Sequence, residues 1–545
     1  MNRIASSLSV LALLCTLAGP LSAQEGTGDR ELVVAYSPKQ LVLDPHRIYT
    51  TMEAQLSTAL YEGLLSYHPY TLQPIPGVAY DWEESQDKTV YRFFLRQDAR
   101  FSNGDPVRAQ DFRDSWLRAL DPALGAEYSF LFDVIQGARD YRLGRSRSAD
   151  SVGIRVISDK ELEVRLEKPA SHFLKLLCHM SFAPVHPSYL KRKDWDQAST
   201  IIGNGPFYLQ NRTPGELRLR KNPYYWDARD VELDALRVRF MADAGAISRA
   251  FNEGQIQWAD TWDTELLEEK DKIVVNPLFA TSYFFFVCAQ KPWKDERVRK
   301  GLSLLLPWEQ IRSSELILPT STLVPAITGY PEVKGIQAPD REAALALLAE
   351  AGYPQGRGLP PLTVKLPESS GDERVVQLMS DTWRKELGLQ VKVLTFPYDR
   401  YLQEVRKADF ALGTSTWIGD YADPLTFLQM WTTESNLNDA HFNDPEFDGL
   451  LDSCLGLEGE ARYQGLAKSE ELLLQKAVVL PISHTPAFNL IDLDRVEGWF
   501  PNVLDIHPFK YLRFKALRLP PGVARLPDGP GAPATPGRPG CASGT

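Results

Sequence analysis

Excess basic charge, paired cysteines and long apolar runs are what this chain has little of. Its 60 Lys and Arg stand against 71 Asp and Glu, a formal net charge of -11 with a pI near 5.4. That balance, without runs of like charge, excludes a nucleic-acid surface, because phosphate binding needs clustered cations in excess. Beyond the N-terminus the cysteines are Cys178, Cys288, Cys454 and Cys541, widely scattered and without a Cys-x-x-Cys. Isolated thiols are expected, not a disulfide framework or a thiolate metal site. No later stretch reaches the ~18–20 apolar residues that span a bilayer. The greasiest, residues 283–289, is strand-sized. A Gly-x-Ser-x-Gly elbow, a His-Glu-x-x-His pair, a Walker loop and a Gly-x-Gly-x-x-Gly turn are all missing, which argues against an exported hydrolase or a nucleotide enzyme. His172, His179 and His186 recur at regular spacing, but Pro184 interrupts any shared helix and no acidic or Cys partner is spaced to complete a metal site. They read as structural histidines.

What is present is material for several cores. At 545 residues and 61.3 kDa the chain is several times the usual domain length of ~150 residues. Its 43% hydrophobic, 24% charged and 10% aromatic residues are ordinary globular composition. The first 23 residues carry Arg3, an apolar stretch over 8–18, a Gly19-Pro20 breaker and Leu21-Ser22-Ala23. This reads as a secretory signal cleaved after Ala23. Lipidation at Cys15 is disfavoured, since Leu14 stands where that processing prefers a small residue. From residue 518 the chain turns Pro-, Gly- and Ala-rich, a composition that cannot offset its ordering entropy and predicts disorder.

Between these ends the pattern is mixed. Residues 31–36 read as a strand, Asp44-Pro45 as a turn, 51–65 as a helix and 89–95 as a half-buried strand. Asn103-Gly104-Asp105-Pro106 is a concentrated turn signal before a helix over 109–119. Short strands are predicted at 153–157, 161–166, 205–209, 217–220 and 236–240. Residues 341–350 form the clearest helix, closed by Gly352. Segments 362–366, 373–387, 391–395, 398–406 and 410–414 then alternate strand, helix, strand, helix, strand. The fold class is α/β with mixed sheets, and no repeat of fixed period occurs.

Several stations along the chain resemble one family, the extracytoplasmic solute-binding proteins of peptide ABC transporters, and within it the oligopeptide-binding branch. They are Leu43-Asp44-Pro45-His46 with Tyr61-Glu62-Gly63-Leu64-Leu65; Phe93-Phe94-Leu95-Arg96 with Phe101 to Val107, Asp111-Phe112 and Ser115-Trp116; and Gly203-Asn204-Gly205-Pro206-Phe207. Asn222-Pro223-Tyr224-Tyr225-Trp226, Asp295 to Arg299 and Ala349 to Tyr353 follow in the family's order. The resemblance covers about residues 31–513. It implies a periplasmic two-lobe clamshell of the large peptide-binding type with an extra inserted domain. The hinge lobe would use residues 24–51, 176–279 and 488–517, the inserted domain 52–175 and the opposite lobe 280–487. The implied function is capture of oligopeptides for a membrane permease and its ATPases at the inner membrane, by a monomer without cofactor, metal, nucleic acid or catalysis.

A protein that binds peptides regardless of sequence must satisfy the groups all peptides share: an ammonium, a row of amides and a carboxylate. In Trp417-Ile418-Gly419-Asp420-Tyr421-Ala422-Asp423-Pro424, Asp420 matches the family's ammonium-binding aspartate, while Asp423 reads as the N-cap of a helix beginning at Pro424 and running through Met430. Trp417, Tyr398 and Tyr128 match ligand-side aromatics, although each could equally be a core residue. Backbone pairing to the ligand would come from Lys39, Gln40 and Leu41 and from Ser415, Thr416 and Trp417, with Tyr283 a further wall residue. There are departures too. Thr414 and Glu373 stand where relatives place basic groups for the ligand carboxylate, with Arg374 and Arg400 close in sequence, and Ala280 and Ile418 stand at the positions of the family's cysteine pair. The carboxylate is therefore met elsewhere, or longer peptides run past, or the ligand has none. The same fold could hold a metal chelate, or an oligosaccharide stacked on Trp417 or Trp431.

Overall fold

The computed structural model describes residues 30–192, 194–313, 318–336, 338–368 and 370–515. The expected signal peptide, 1–23, and the tail, 518–545, lie outside the described residues, as does Cys541.

The first strand, Glu31–Tyr36, lies parallel to Ala235–Phe240 on one side and to Trp258–Ala259 on the other. Its Leu32, Val34 and Ala35 are wholly buried, the signature of a parallel strand covered on both faces. Ala235–Phe240 continues antiparallel through Glu216–Lys221 to Phe207–Thr213. On the far side, Trp258–Ala259 pairs with Val479–Ile491, which runs antiparallel to Ile273–Phe286. Ile273–Phe286 also pairs with Leu412–Ile418, and Leu362–Pro367 and Val391–Phe396 complete the order in parallel. Among the described residues, eleven strands share this one sheet.

The sheet is continuous but jointed. Residues 273–277 pair with 486–490, residues 281–285 with 479–484, and the register shifts between Pro277 and Thr281. Pro277 lies opposite Pro486 at the shift. Neither can donate to the ladder, so the two long strands are weakest where they pass from one half of the molecule to the other.

A second, antiparallel sheet is built from Ala79–Glu84, Val90–Leu95, Glu161–Arg165 and Ile154–Ser158. Helix Ala109–Leu120 covers it with Phe112 and Trp116, both wholly buried, and the Asp111 carboxylate accepts from the Arg108 N–H at 2.7 Å to hold the helix start. The core of this sheet runs on without a break into Tyr283, Trp417, Tyr421 and Phe427 of the main-sheet side.

Most expected elements are present, with informative exceptions. The helix expected over 51–65 ends at Leu60. Asn204 explains the stop: its side chain accepts from the Glu62 N–H at 3.1 Å and donates to the Glu62 carbonyl at 2.7 Å, pulling the chain out of helical geometry. Gly205 allows that approach, since a Cβ there would lie 2.5 Å from the Tyr61 nitrogen. The helix expected to run from Pro424 to Met430 is a short α-helix, Leu425–Leu428, followed by a 3-10 turn, Gln429–Trp431. Cys178, Cys288 and Cys454 are free thiols.

Candidate functional site

Strand Leu412–Ile418 delivers the chain to Gly419 and Asp420. The Gly419 N–H donates to the Phe279 carbonyl at 2.8 Å. A Cβ on Gly419 would sit 2.6 Å from the Phe279 ring and 2.9 Å from Thr426, so only glycine lets the loop close. The Thr426 hydroxyl accepts from the Asp420 N–H at 3.0 Å and lies 3.3 Å from its carboxylate, to which Tyr128 also donates. Tyr67 holds the Asp420 carbonyl at 2.8 Å.

The Asp420 side chain is 7% exposed, and burial pushes its pKa up to about 7 against the hydrogen bonds from Thr426 and Tyr128. His179 Nε2 stands 3.7 Å away, but burial depresses that imidazole to about 3, so it brings no charge. Three residues on, Asp423 has the opposite environment. It accepts from the Leu425 N–H at 3.0 Å from one residue before Pro424, which holds the N-cap position where Asp423 was expected, and takes a bidentate pair from the buried Arg462 at 2.8 and 2.9 Å. Although burial opposes it, Arg462 holds the Asp423 carboxyl below its ordinary value. One aspartate is thus neutralised from within, and the other is a buried acceptor with no cation paired to it among the described residues.

Beside Asp420 runs an open strand edge. Residues 362–367 pair with this strand only at Val364 and Leu412. The Tyr401 hydroxyl then takes both main-chain groups of Thr414, donating to its carbonyl at 2.6 Å and accepting from its N–H at 3.0 Å. The main-chain groups of Thr414 therefore face away from strand Ile273–Phe286, and alternation turns those of Thr416 outward too, while those of Ser415 and Trp417 face inward. Thr416 is exposed, and its hydroxyl is 2.7 Å from that of Ser282. Of the three residues expected to offer backbone, Thr416 is the one whose peptide groups reach the edge. Ala280 and Ile418 face each other across the same two strands.

The expected aromatics separate. Trp417 is 5% exposed with its indole N–H unpartnered, and its ring is 6.5 Å from Tyr128, which lies 4.7 Å from His179 and 6.2 Å from Tyr49. Tyr398 is 43% exposed, with the Lys39 ammonium 5.6 Å from its ring, and the Gln40 N–H is 3.4 Å from Asp399. Leu41 is not placed to offer its carbonyl, which accepts from Arg212 at 3.2 Å and Gln197 at 3.4 Å. Tyr283 is buried edge-on against Trp431 at 5.5 Å. Thr414 is buried, its hydroxyl on the Tyr283 carbonyl at 3.2 Å. Arg374 is committed to the Gln310 and Ser313 carbonyls, and Arg400 lies over Phe396 beside Glu404. Thr426 and Arg462, chemically anonymous or far from Asp423 in order, carry no signal in the sequence, and His179, expected as a structural histidine, stands beside Asp420.

The small-sheet region meets the 406–458 segment through Arg406–Glu127 at 2.7 Å, Arg139–Glu434 at 2.6 Å, Lys88–Glu458 at 2.7 Å and Lys168–Asp452 at 2.8 Å. A family model described as "Bacterial extracellular solute-binding proteins, family 5 Middle" matches residues 73–439. The chain belongs to this family. As a family 5 solute-binding protein it is non-catalytic. It is 30% identical over 463 residues to the periplasmic oligopeptide-binding protein OppA of Escherichia coli, covering 81% of this chain and 84% of the relative. The murein tripeptide binding protein MppA of Escherichia coli superposes with a TM-score of 0.79 at 25% identity, covering 89% of this chain and 99% of that one. The unliganded open form of MppA, covering 89% and 97% at the same identity, reaches 0.62. The fold is therefore the multi-domain α/β clamshell of these proteins.

Proposed function

We propose that the chain is the periplasmic capture component of an ABC importer for oligopeptides, closing on its ligand as a monomer and presenting the loaded form to a membrane permease with its ATPases. One observation carries this reading: a buried carboxylate without a cation, Asp420, stands beside the outward main chain of Thr416. A peptide N-terminus supplies the missing cation, and its first amides supply a partner for the strand edge, which is β-strand addition with an electrostatic anchor. The proline pair at 277 and 486 marks the joint between a hinge lobe (24–51, 176–279, 488–517) and an opposite lobe (280–487), with 52–175 as the inserted domain that closes over the cleft. No helix of the described residues is long and apolar enough to cross a membrane.

The test is native mass spectrometry on protein unfolded and refolded to strip captured ligand, then offered a peptide pool beside free sugars and metal chelates. Peptides are expected to be retained, and the near-isosteric Asp420→Asn to lose them. Retention of sugars or chelates alone, or peptide retention indifferent to Asp420, contradicts the reading.

A further inference from the structure

The four-stranded antiparallel sheet ends on a strand whose outer side is lined by arginine. Among the described residues Ile154–Ser158 is the outermost strand, paired only with Glu161–Arg165. The Arg165 N–H donates to the Gly153 carbonyl at 2.8 Å, so alternation points the main chain of Gly153 and Arg155 at that neighbour and the main chain of Ile154 and Val156 outward. The Ile154 N–H donates to the Val152 carbonyl at 2.7 Å, which leaves the Ile154 carbonyl and both main-chain groups of Val156 for the edge. A groove of about 500 Å³ lies there. Every residue from 150 to 156 lines it. Successive side chains of an extended chain point to opposite faces, so a groove that touches them all runs along the edge and not over one face. Gln110 and Arg113 of helix Ala109–Leu120, with Gln136 and Arg165, complete the lining, and no residue of the Asp420 site belongs to it. On a chain of net charge -11 this groove gathers three guanidinium groups. Arg155 is exposed and has no ion pair among the described residues. Arg113 meets Asp150 at 3.0 Å, but that carboxylate is 92% exposed and a surface pair of this kind exchanges readily. Arg165 spends only Nε and one terminal nitrogen on Glu163, at 3.1 and 2.9 Å, of the five N–H a guanidinium offers.

We propose that this edge docks an acidic, extended segment of a partner protein as an added strand, independently of the peptide cleft. Main-chain pairing to Ile154 and Val156 sets its register, and its carboxylates meet Arg155 on the strand and Arg113 on the helix, where they take the place of Asp150. A row of unpaired strand groups is a template for another chain unless the protein blunts it. Here the blunting is partial, because the register shift between Val156 and Ser158 stops the edge at Val156. The contact is therefore short and draws much of its strength from charge. That combination selects the partner: a basic segment is repelled by the arginines, and a small anion has no main chain to lay along the edge.

Calorimetry on the ligand-stripped full chain tests it with alternating Glu-Val and Lys-Val hexapeptides, N-acetylated and C-terminally amidated so that they offer the cleft neither an ammonium nor a carboxylate terminus. The Glu-Val peptide is expected to bind and the Lys-Val peptide not to. Raising salt from about 50 mM to about 0.5 M should weaken binding roughly tenfold or more. Arg155→Glu should weaken it by a similar factor, and Asp420→Asn should leave it unchanged. N-methylation separates an added strand from charge attraction alone: methylating one alternate set of peptide amides should abolish binding, and methylating the other should leave it. That comparison uses the wild type, so it decides the matter even if Arg155→Glu fails to fold. The proposal is overturned if neither peptide binds, if both bind alike, if R155E binds as the wild type does, or if the two methylated sets bind alike, which would leave a site for anions only. Loss of binding in D420N would put the peptide in the cleft and overturns it as well.

Discussion

The imidazole of His179 stands 3.7 Å from the carboxylate of Asp420, both side chains nearly sealed from water. The pair is not an ion pair at neutral pH. Burial holds His179 down to about 3 and Asp420 up to about 7, so each disfavours its charged form and His179 brings Asp420 no cation. The testable consequences begin there.

Asp420 should make the empty protein less stable as pH rises. Its folded pKa of about 7 exceeds the ordinary 3.8, so the folded state binds the proton more tightly. The contribution is fully present below about 4 and lost as pH rises through about 7. His46, His172 and His179, depressed to about 4, 4 and 3, act in the opposite sense, so the total curve hides the effect. The wild-type minus Asp420→Asn difference exposes it. That difference should fall between pH 4 and pH 7 by on the order of 2–4 kcal/mol, measured by urea unfolding. A pH-independent difference contradicts the assignment.

Ligand affinity should run the other way. An ammonium pairs with ionised Asp420, so peptide binding below about pH 7 must expel a proton. Affinity should drop close to tenfold per pH unit there. Titrations in buffers of different ionisation enthalpy should count about one proton released at pH 5.5–6 and fewer at pH 8, with no such release in D420N.

Arg462 is expected to be structural. Both it and Asp423 are buried in a bidentate pair. Arg462→Met leaves the Asp423 charge uncompensated and should cost about 3–5 kcal/mol, while adding Asp423→Asn should restore much of it. Urea midpoints of the single and double variants check this. Additive losses would mean the pair does not act as a unit.

Closure should respond to salt. The contacts between the small-sheet region and the 434–458 segment place Lys88, Arg139 and Lys168 on one side and Glu434, Asp452 and Glu458 on the other. Each exposed pair is worth only ~0.2–1 kcal/mol, but they act together and are screened. Small-angle scattering of the empty protein should show a larger radius of gyration at 1 M than at 50 mM salt, and Glu434→Lys should reproduce the larger value at low salt. A radius insensitive to both would place closure elsewhere.

Local signals announced much of this. The strand at Glu31–Tyr36, the helix at Arg341–Glu350 and the alternation after Pro361 follow from periodicity and caps carried within each segment. The hydrogen bond from Leu425 to Asp423 was legible because it is local, although the cap position itself falls one residue later, at Pro424. What stayed hidden depends on partners distant in sequence. Arg462 lies 39 residues from Asp423, and Asn204 ends a helix through Glu62, 142 residues earlier. Nothing in the spacing of three histidines distinguishes His179, beside Asp420, from His186, which meets Asp105 at 3.0 Å. The outward turn of Thr416 follows from pairing with a strand more than a hundred residues earlier, and the Tyr401 phenol that takes the main chain of Thr414 is encoded by no pattern.

The central claim is that Asp420 receives a peptide ammonium, and the most direct measurement compares one tripeptide with its N-acetylated form by calorimetry at pH 7.5, on ligand-stripped wild type and D420N. The account predicts that acetylation weakens binding to the wild type about a hundredfold or more and makes little difference to D420N. Equal affinity of the two forms for the wild type would contradict it.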